Sequence, residues 1–178
     1  MNPANVPTAS PEHYAPAMSW DRFWQLIDRL GVAEDGRVAC AELEAACAGL
    51  TETLAEEPVE QILGFGERLA EALYTLDRAE FGTLPVAGLR TGSGAPFPQS
   101  DDSFLYSRAA VVAAGRHTYE SVLGHPERFA PFTALQAEEL LYVHEEAYER
   151  ATGEEYDELT FHCYESCSNE AAWPDLHR

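Results

Sequence analysis

Apolar residues recur at helical spacing through most of the chain and predict five long helical elements. Trp20, Phe23, Trp24, Ile27 and Leu30 share one face of a segment from Ser19 to Leu30. Ser19 suits its N-cap, Asp21 its first turn and Gly31 its C-terminal stop. Two tryptophans on so short an element predict docking against a core. A second helix, from about Val38 to Glu56, carries Leu43, Cys47, Leu50 and Leu54 as a buried stripe, which makes Cys47 a small core residue. A third starts at Pro58, between Glu57 and Glu60, and presents Ile62, Phe65, Leu69, Leu73 and Leu76. Gly64 and Gly66 each cost that helix about 1 kcal/mol relative to alanine, so their place mid-helix predicts a close crossing by a neighbour.

The central element is Asp101 to Leu123, capped by Ser100 or Asp101. Phe104, Arg108, Val111, Gly115, Thr118 and Val122 form one stripe, and Leu105, Ala109, Val112, Tyr119 and Leu123 the next. An apolar arc this wide predicts burial on two sides. Gly124 ends the element, and His125-Pro126 opens a short turn of helix holding Phe129. The last helix runs from about Leu135 to Thr152 and stops at Gly153. Its inward side is Leu140, Leu141, His144, Ala147 and Tyr148, and its outward side Glu138, Glu139, Glu145, Glu146 and Glu149.

Two stretches break the helical pattern. Residues 82–100 are rich in glycine and proline and predict a long irregular loop beside the central helix, the natural wall of a binding site. Leu159, Phe161 and Cys163 alternate as in a short strand or extended segment, and SNEAAW reads as a capped turn that docks Trp173. The pattern therefore predicts an all-α fold: a single-domain bundle of about five helices, residues 19–178, with one long loop, a short extended C-terminal segment and a flexible N-terminal tail over residues 1–18.

At 178 residues the chain is long enough to bury a core without disulfide or metal staples. Its charge narrows the classes of partner. The 31 acidic residues outnumber the 11 basic ones, all arginine, for a net charge of −20. A genomic base composition that favours arginine codons is the bland account of the missing lysines. The charge itself repels phosphate backbones and anionic lipid, so nucleic-acid and membrane-surface binding are disfavoured and a basic protein partner is favoured. No window approaches the roughly 20 apolar residues of a membrane span, and the first 17 residues lack the basic and apolar regions of a signal peptide. On one helix Cys40 and Cys47 would lie roughly 10 Å apart, too far for a disulfide. Reduced thiols and a cytoplasmic location follow as expectations.

Several stretches carry a family likeness: FWQLID (Phe23–Asp28), EQILGFGERLAEALYTLD (Glu60–Asp77), DDSFLYSRAAVVAAGRHTYESVL (Asp101–Leu123) with GHPERFA after it, and AYERATGEE (Ala147–Glu155). In order and spacing the chain resembles a bacterial, actinobacterial domain-of-unknown-function family, number 4240. The resemblance implies a helical fold and a bacterial cytoplasmic origin, and it carries over no catalytic residue. Residues 82–100 depart from the family's pattern. They stand where it usually has a tryptophan-containing helical segment and a cysteine before the paired aspartates.

The densest polar groups lie on the central helix. Asp102, Arg108, Arg116 and His117 are the candidate ligand-binding residues: two arginines for an anion, beside a His117/Glu120 acid–base couple. The competing reading pairs each arginine with a carboxylate of a neighbouring helix. Cys163 and Cys167, with His162 and His177, offer soft donors for zinc but lack a CxxC knuckle. His144-Glu145 lacks the Glu-x-x-His pairs of a di-iron bundle, so His144 reads as a hydrogen-bonded core histidine. P-loop, dinucleotide-binding, serine-elbow and HExxH motifs do not occur, and Thr91–Gly94 is loop chemistry. No cofactor is implied and no catalytic residue is assigned. The leading expectation is a non-enzymatic interaction or accessory (immunity-like) module, with its partner on the glutamate-rich face or the 82–100 loop. The alternative is a small enzyme or anionic-ligand-binding protein with a pocket between that loop and the central helix.

Overall fold

The computed structural model describes residues 17–35 and 40–174. Residues 1–16 of the expected tail, the expected helix start at Val38, the side chain of Cys40 and His177 lie outside the described residues. Ser19 caps α1 (Trp20–Ile27) by accepting from the Arg22 N–H at 3.2 Å. A 3-10 turn, Asp28–Leu30, then runs into left-handed Gly31 (φ 64°). Met18, placed by the sequence in the tail, belongs to the core: it is buried, and its carbonyl accepts from Arg68 Nε at 2.9 Å. Phe23, Trp24 and Ile27 are buried as expected, whereas Trp20 is half-buried under the Arg68 guanidinium, 4.8 Å from its ring.

Helices α2 (Cys40–Ala55) and α3 (Val59–Leu76) bury the stripes read from their spacing, from Leu43 to Leu54 and from Ile62 to Leu76. Both pack against α7 (Glu139–Thr152). The last helix thus starts at Glu139 rather than near Leu135, because Leu135 is extended after a nine-residue 3-10 segment, Pro126–Ala134. That segment buries Phe129, which stacks on Phe81 of the short α4 (Ala79–Gly82) at 4.8 Å.

The central element is two helices. α5 (Asp101–Ala113) ends at Ala114, and α6 (Gly115–Gly124) restarts with Gly115 at φ 88°. That backbone value is open to glycine and strained for other residues, so the glycine re-aims the second half of the element. Ser100, not Asp101, is the cap of α5, accepting from Ser103 N–H at 3.1 Å.

The 82–100 loop is the other correction. It holds an antiparallel hairpin, β1 (Pro85–Arg90) with β2 (Pro96–Pro98), with an irregularity in the register between Pro85 and Arg90. The molecule is therefore mostly helical, 63 % of it, and not purely all-α. Beyond α7 the segment with Leu159 and Phe161 forms no strand, and a 3-10 turn, Glu170–Ala172, precedes Trp173. No helix among the described residues is long and apolar enough to cross a membrane.

Candidate functional site

The hairpin is fastened at both ends. Thr133 Oγ1 accepts from the Ala87 N–H at 2.8 Å and reaches the Pro85 carbonyl at 3.1 Å, which pins β1 to the 3-10 segment 126–134. Gln99 Nε2 donates to the Phe81 and Leu84 carbonyls, both at 3.0 Å, which pins the return strand to α4. Between the hairpin, the start of α5 and residues 133–136 opens a cleft of about 670 Å³. Val86, Leu89, Phe97, Pro98 and Ala134 give it apolar walls, and Gln99, Ser103 and Gln136 add neutral polar groups. No charged side chain lines it. Gln99 Oε1 and Ser103 Oγ are buried without a hydrogen-bond partner, an unusual state for buried polar atoms. The volume is that of a small-ligand or side-chain pocket.

None of the four candidate ligand residues lines this cleft. Asp102 is exposed on the first turn of α5. Arg108 is completely buried and makes no ion pair among the described residues. Its Nη1 donates to the Leu73 carbonyl and its Nη2 to Ser166 Oγ, each at 3.0 Å, and its guanidinium lies 4.6 Å from the Phe104 ring centroid. Burial pulls its pKa down to about 10, against the opposing pull of the Asp77 charge. Neither the free anion-holding arginine nor the paired one is realised. Arg108 is a packed cation held by backbone, hydroxyl and ring.

Arg116, on the far side of the Gly115 break, is at the surface and paired, with Asp21 at 2.9 Å and Glu120 at 2.7 Å. His117 is exposed and lines a separate cleft of about 210 Å³ with Glu34, Asp35 and Arg128. The structure brings Arg116 together with Glu120, away from Arg108 and from the hairpin cleft.

A polar group that the sequence reading missed sits beside Arg108. Asp77 is fully buried and accepts from the N–H groups of Cys167 (3.0 Å) and Asn169 (2.9 Å), from Trp173 Nε1 (2.9 Å) and from Ser168 Oγ (3.3 Å). Ser166 Oγ in turn donates to the Asp101 carbonyl at 2.7 Å. The 3-10 turn before Trp173 has no side-chain cap of its own, so Asp77 takes the part of a capping residue. The signal available was an aspartate immediately after a buried helical stripe.

His144 is buried, as expected, but its Nδ1 has no hydrogen-bond partner, and desolvation lowers its pKa to about 4. Among the described residues no three His, Cys, Asp or Glu side chains converge closely enough to hold a metal ion. Cys47, Cys163 and Cys167 are free thiols. Burial, with Glu139 and Glu146 nearby, pushes the Cys47 thiol up to about 12, which makes it inert.

A family model described as "Protein of unknown function (DUF4240)" matches residues 18–150. The chain belongs to that family. Neither the curated proteins nor the solved structures give a match. The DUF4240 match holds α1 through most of α7, together with the hairpin, Asp77 and Arg108. It ends before Ser166, Ser168 and Trp173, the groups that Asp77 and Arg108 receive from the C-terminal strap, residues 153–174.

Proposed function

We propose that this DUF4240 protein is a non-catalytic interaction module of the bacterial cytoplasm. It takes an apolar side-chain cluster of a basic partner protein into the hairpin cleft. One observation carries the reading: a chain of net charge −20 keeps an uncharged, apolar-walled concavity, with Leu89 54 % and Phe97 45 % exposed at its side. Contiguous exposed apolar surface of this kind is what binding surfaces offer at their centre. The acidic exterior steers a basic partner toward the molecule, and the cleft supplies short-range contact.

Strand addition is not the mode of contact supported here. β2 is Pro96-Phe97-Pro98, and its two prolines have no N–H to give an incoming strand. Side-chain insertion fits instead. Catalysis finds little support at this site, because no titratable side chain lines the cleft and Arg108 is buried elsewhere.

Site-specific photo-crosslinking tests the reading, with a benzophenone side chain at position 97 in the cellular setting and a matched one at exposed Glu127 as control. The expected result is one defined, basic protein captured from position 97 only, and lost when Leu89→Asp is added. The reading is overturned if both positions capture the same products, or if position 97 captures only a second copy of the chain. It also fails if a neutral apolar small molecule occupies the cleft and no protein crosslinks.

A further inference from the structure

A third cleft lies against α7. Residues 156–164 run back past His144 and Glu145 and enclose a cleft of about 340 Å³. Tyr156 and Tyr164, both half-buried, form aromatic walls. Glu145, Asp157 and Glu158 contribute carboxylates. His144 also lines it: only 2 % exposed, it packs edge-to-face on Tyr156 at 5.2 Å and leaves Nδ1 without a partner. This cleft shares no residue with the hairpin cleft, so its occupant is independent of the partner proposed for the hairpin.

The negative charge here is unspent. Glu145, Asp157 and Glu158 make no ion pair among the described residues, and the arginines of α7 and α3 are engaged elsewhere. Arg150 of α7 reaches Glu52 at 3.5 Å, and Arg68 of α3 holds Glu71 at 2.7 Å. Desolvation, reinforced by Glu149 and Glu146, raises the pKa of Glu145, and burial with surrounding acidic groups, Glu145 first, raises the Tyr164 phenol to about 12. An added positive charge would relieve each of these groups.

The donor set selects the kind of charge. Carboxylates without counter-ions attract any cation, but aromatic faces favour organic ones, whose charge is spread and weakly hydrated. A neutral imidazole in the wall adds no competing charge. No convergent set of three metal-ligating side chains exists among the described residues. The volume is at the small end of ligand sites, the size of a long cationic side chain and not of a nucleotide. We infer that this cleft is a binding site for an organic cation, a guanidinium or alkylammonium group presented on a short aliphatic stem.

Such a group comes either from an arginine or lysine of a basic protein segment or from a free polyamine, and the test separates the two. Full-length protein is titrated calorimetrically in 150 mM salt (about one Debye length of 8 Å, which suppresses diffuse attraction) with N-acetyl-arginine amide and, separately, with spermidine. Saturable one-to-one binding of at least one probe is expected. Tighter binding of the arginine amide assigns the site to a protein side chain, and the reverse assigns it to a free amine. Tyr156→Leu and the exposed Asp157→Asn should each weaken binding about fivefold or more. Glu127→Gln, which removes the same charge far along the chain, should leave it unchanged. Because Asp157 is exposed, its variant tests the site even if Tyr156→Leu unfolds the strap. Absence of saturable binding by both probes, or equal weakening by Glu127→Gln, would overturn the assignment.

Discussion

His144 and Arg108 are both polar residues inside an otherwise apolar core, and the core treats them in opposite ways. Arg108 keeps its charge because two acceptors and an aromatic face replace water. His144 leaves Nδ1 without a hydrogen-bond partner and is held neutral, its pKa lowered from 6.5 to about 4 by desolvation. A depressed histidine pKa means that, between those two values, the unfolded chain binds a proton the folded chain refuses. Its stabilising contribution is therefore complete above about pH 6.5 and is lost as the pH falls toward 4. At 1.36 kcal/mol per unit the whole effect is about 3 kcal/mol. Urea denaturation at pH 7 and pH 4.5 should show the wild-type protein losing stability more steeply than His144→Leu. Equal slopes would mean that His144 is protonated or solvated in the fold. The spacing placed both residues on buried stripes. It did not reveal the partners of Arg108, since Ser166 lies 58 residues away.

Mid-helix glycines were the clearest element-scale signal, and they mark the crossing they implied. A Cβ on Gly64 would come within 3.0 Å of the Met18 Cβ and closer still to its backbone nitrogen. A Cβ on Gly66 would overlap the Cδ2 edge of the His144 ring, with Nε2 3.0 Å away. In α2, by contrast, Gly49 faces open space. Alanine gains about 1 kcal/mol of helix propensity at each position, so packing decides the sign. Gly66→Ala should destabilise by about 1–2 kcal/mol net, a fall of several degrees in Tm, because the buried ring and α7 must shift. Gly49→Ala should stabilise by up to about 1 kcal/mol. Thermal melts of the two variants check both, and the same sign in both would remove the close-crossing account. Two elements were misread for related reasons. The turn at Gly115 depends on one residue's left-handed backbone inside a strong apolar pattern, and the hairpin hides in a stretch where glycine and proline mask β-propensity.

At the scale of the molecule, residues 153–174 return across the helices as a strap, and Asp77 closes it. Trp173 completes the closure, its ring meeting Phe104 at 6.0 Å and leaving no room for a side chain on Gly82. Asp77→Asn would turn one of two acceptor oxygens into a donor facing N–H groups. It should cost about 2–4 kcal/mol and free the strap. Limited proteolysis should then cut between residues 153 and 166, with a red shift of the Trp173 emission. A variant as resistant as the wild-type protein would show that the strap is held by other contacts. Freeing the strap would also dissolve the acidic cleft at Tyr156, so cation binding and protease resistance should fall together in this variant.

Sequence alone determined the helical stripes, the Ser19 cap, the glycine stops at Gly31 and Gly153, the acidic exterior and the place of a concavity beside residues 82–100. All but the last are local, since periodicity, propensity and capping act over three or four neighbouring residues. The concavity was inferred from the length of an irregular stretch, and its uncharged lining was not foreseen. Only the tertiary structure decided that Arg108 is buried while Arg116 is not, that Asp77 closes a strap, and that carboxylates and tyrosines gather over His144. Each of these depends on which distant segments meet, and pairing across 58 to 96 residues leaves no mark in local spacing.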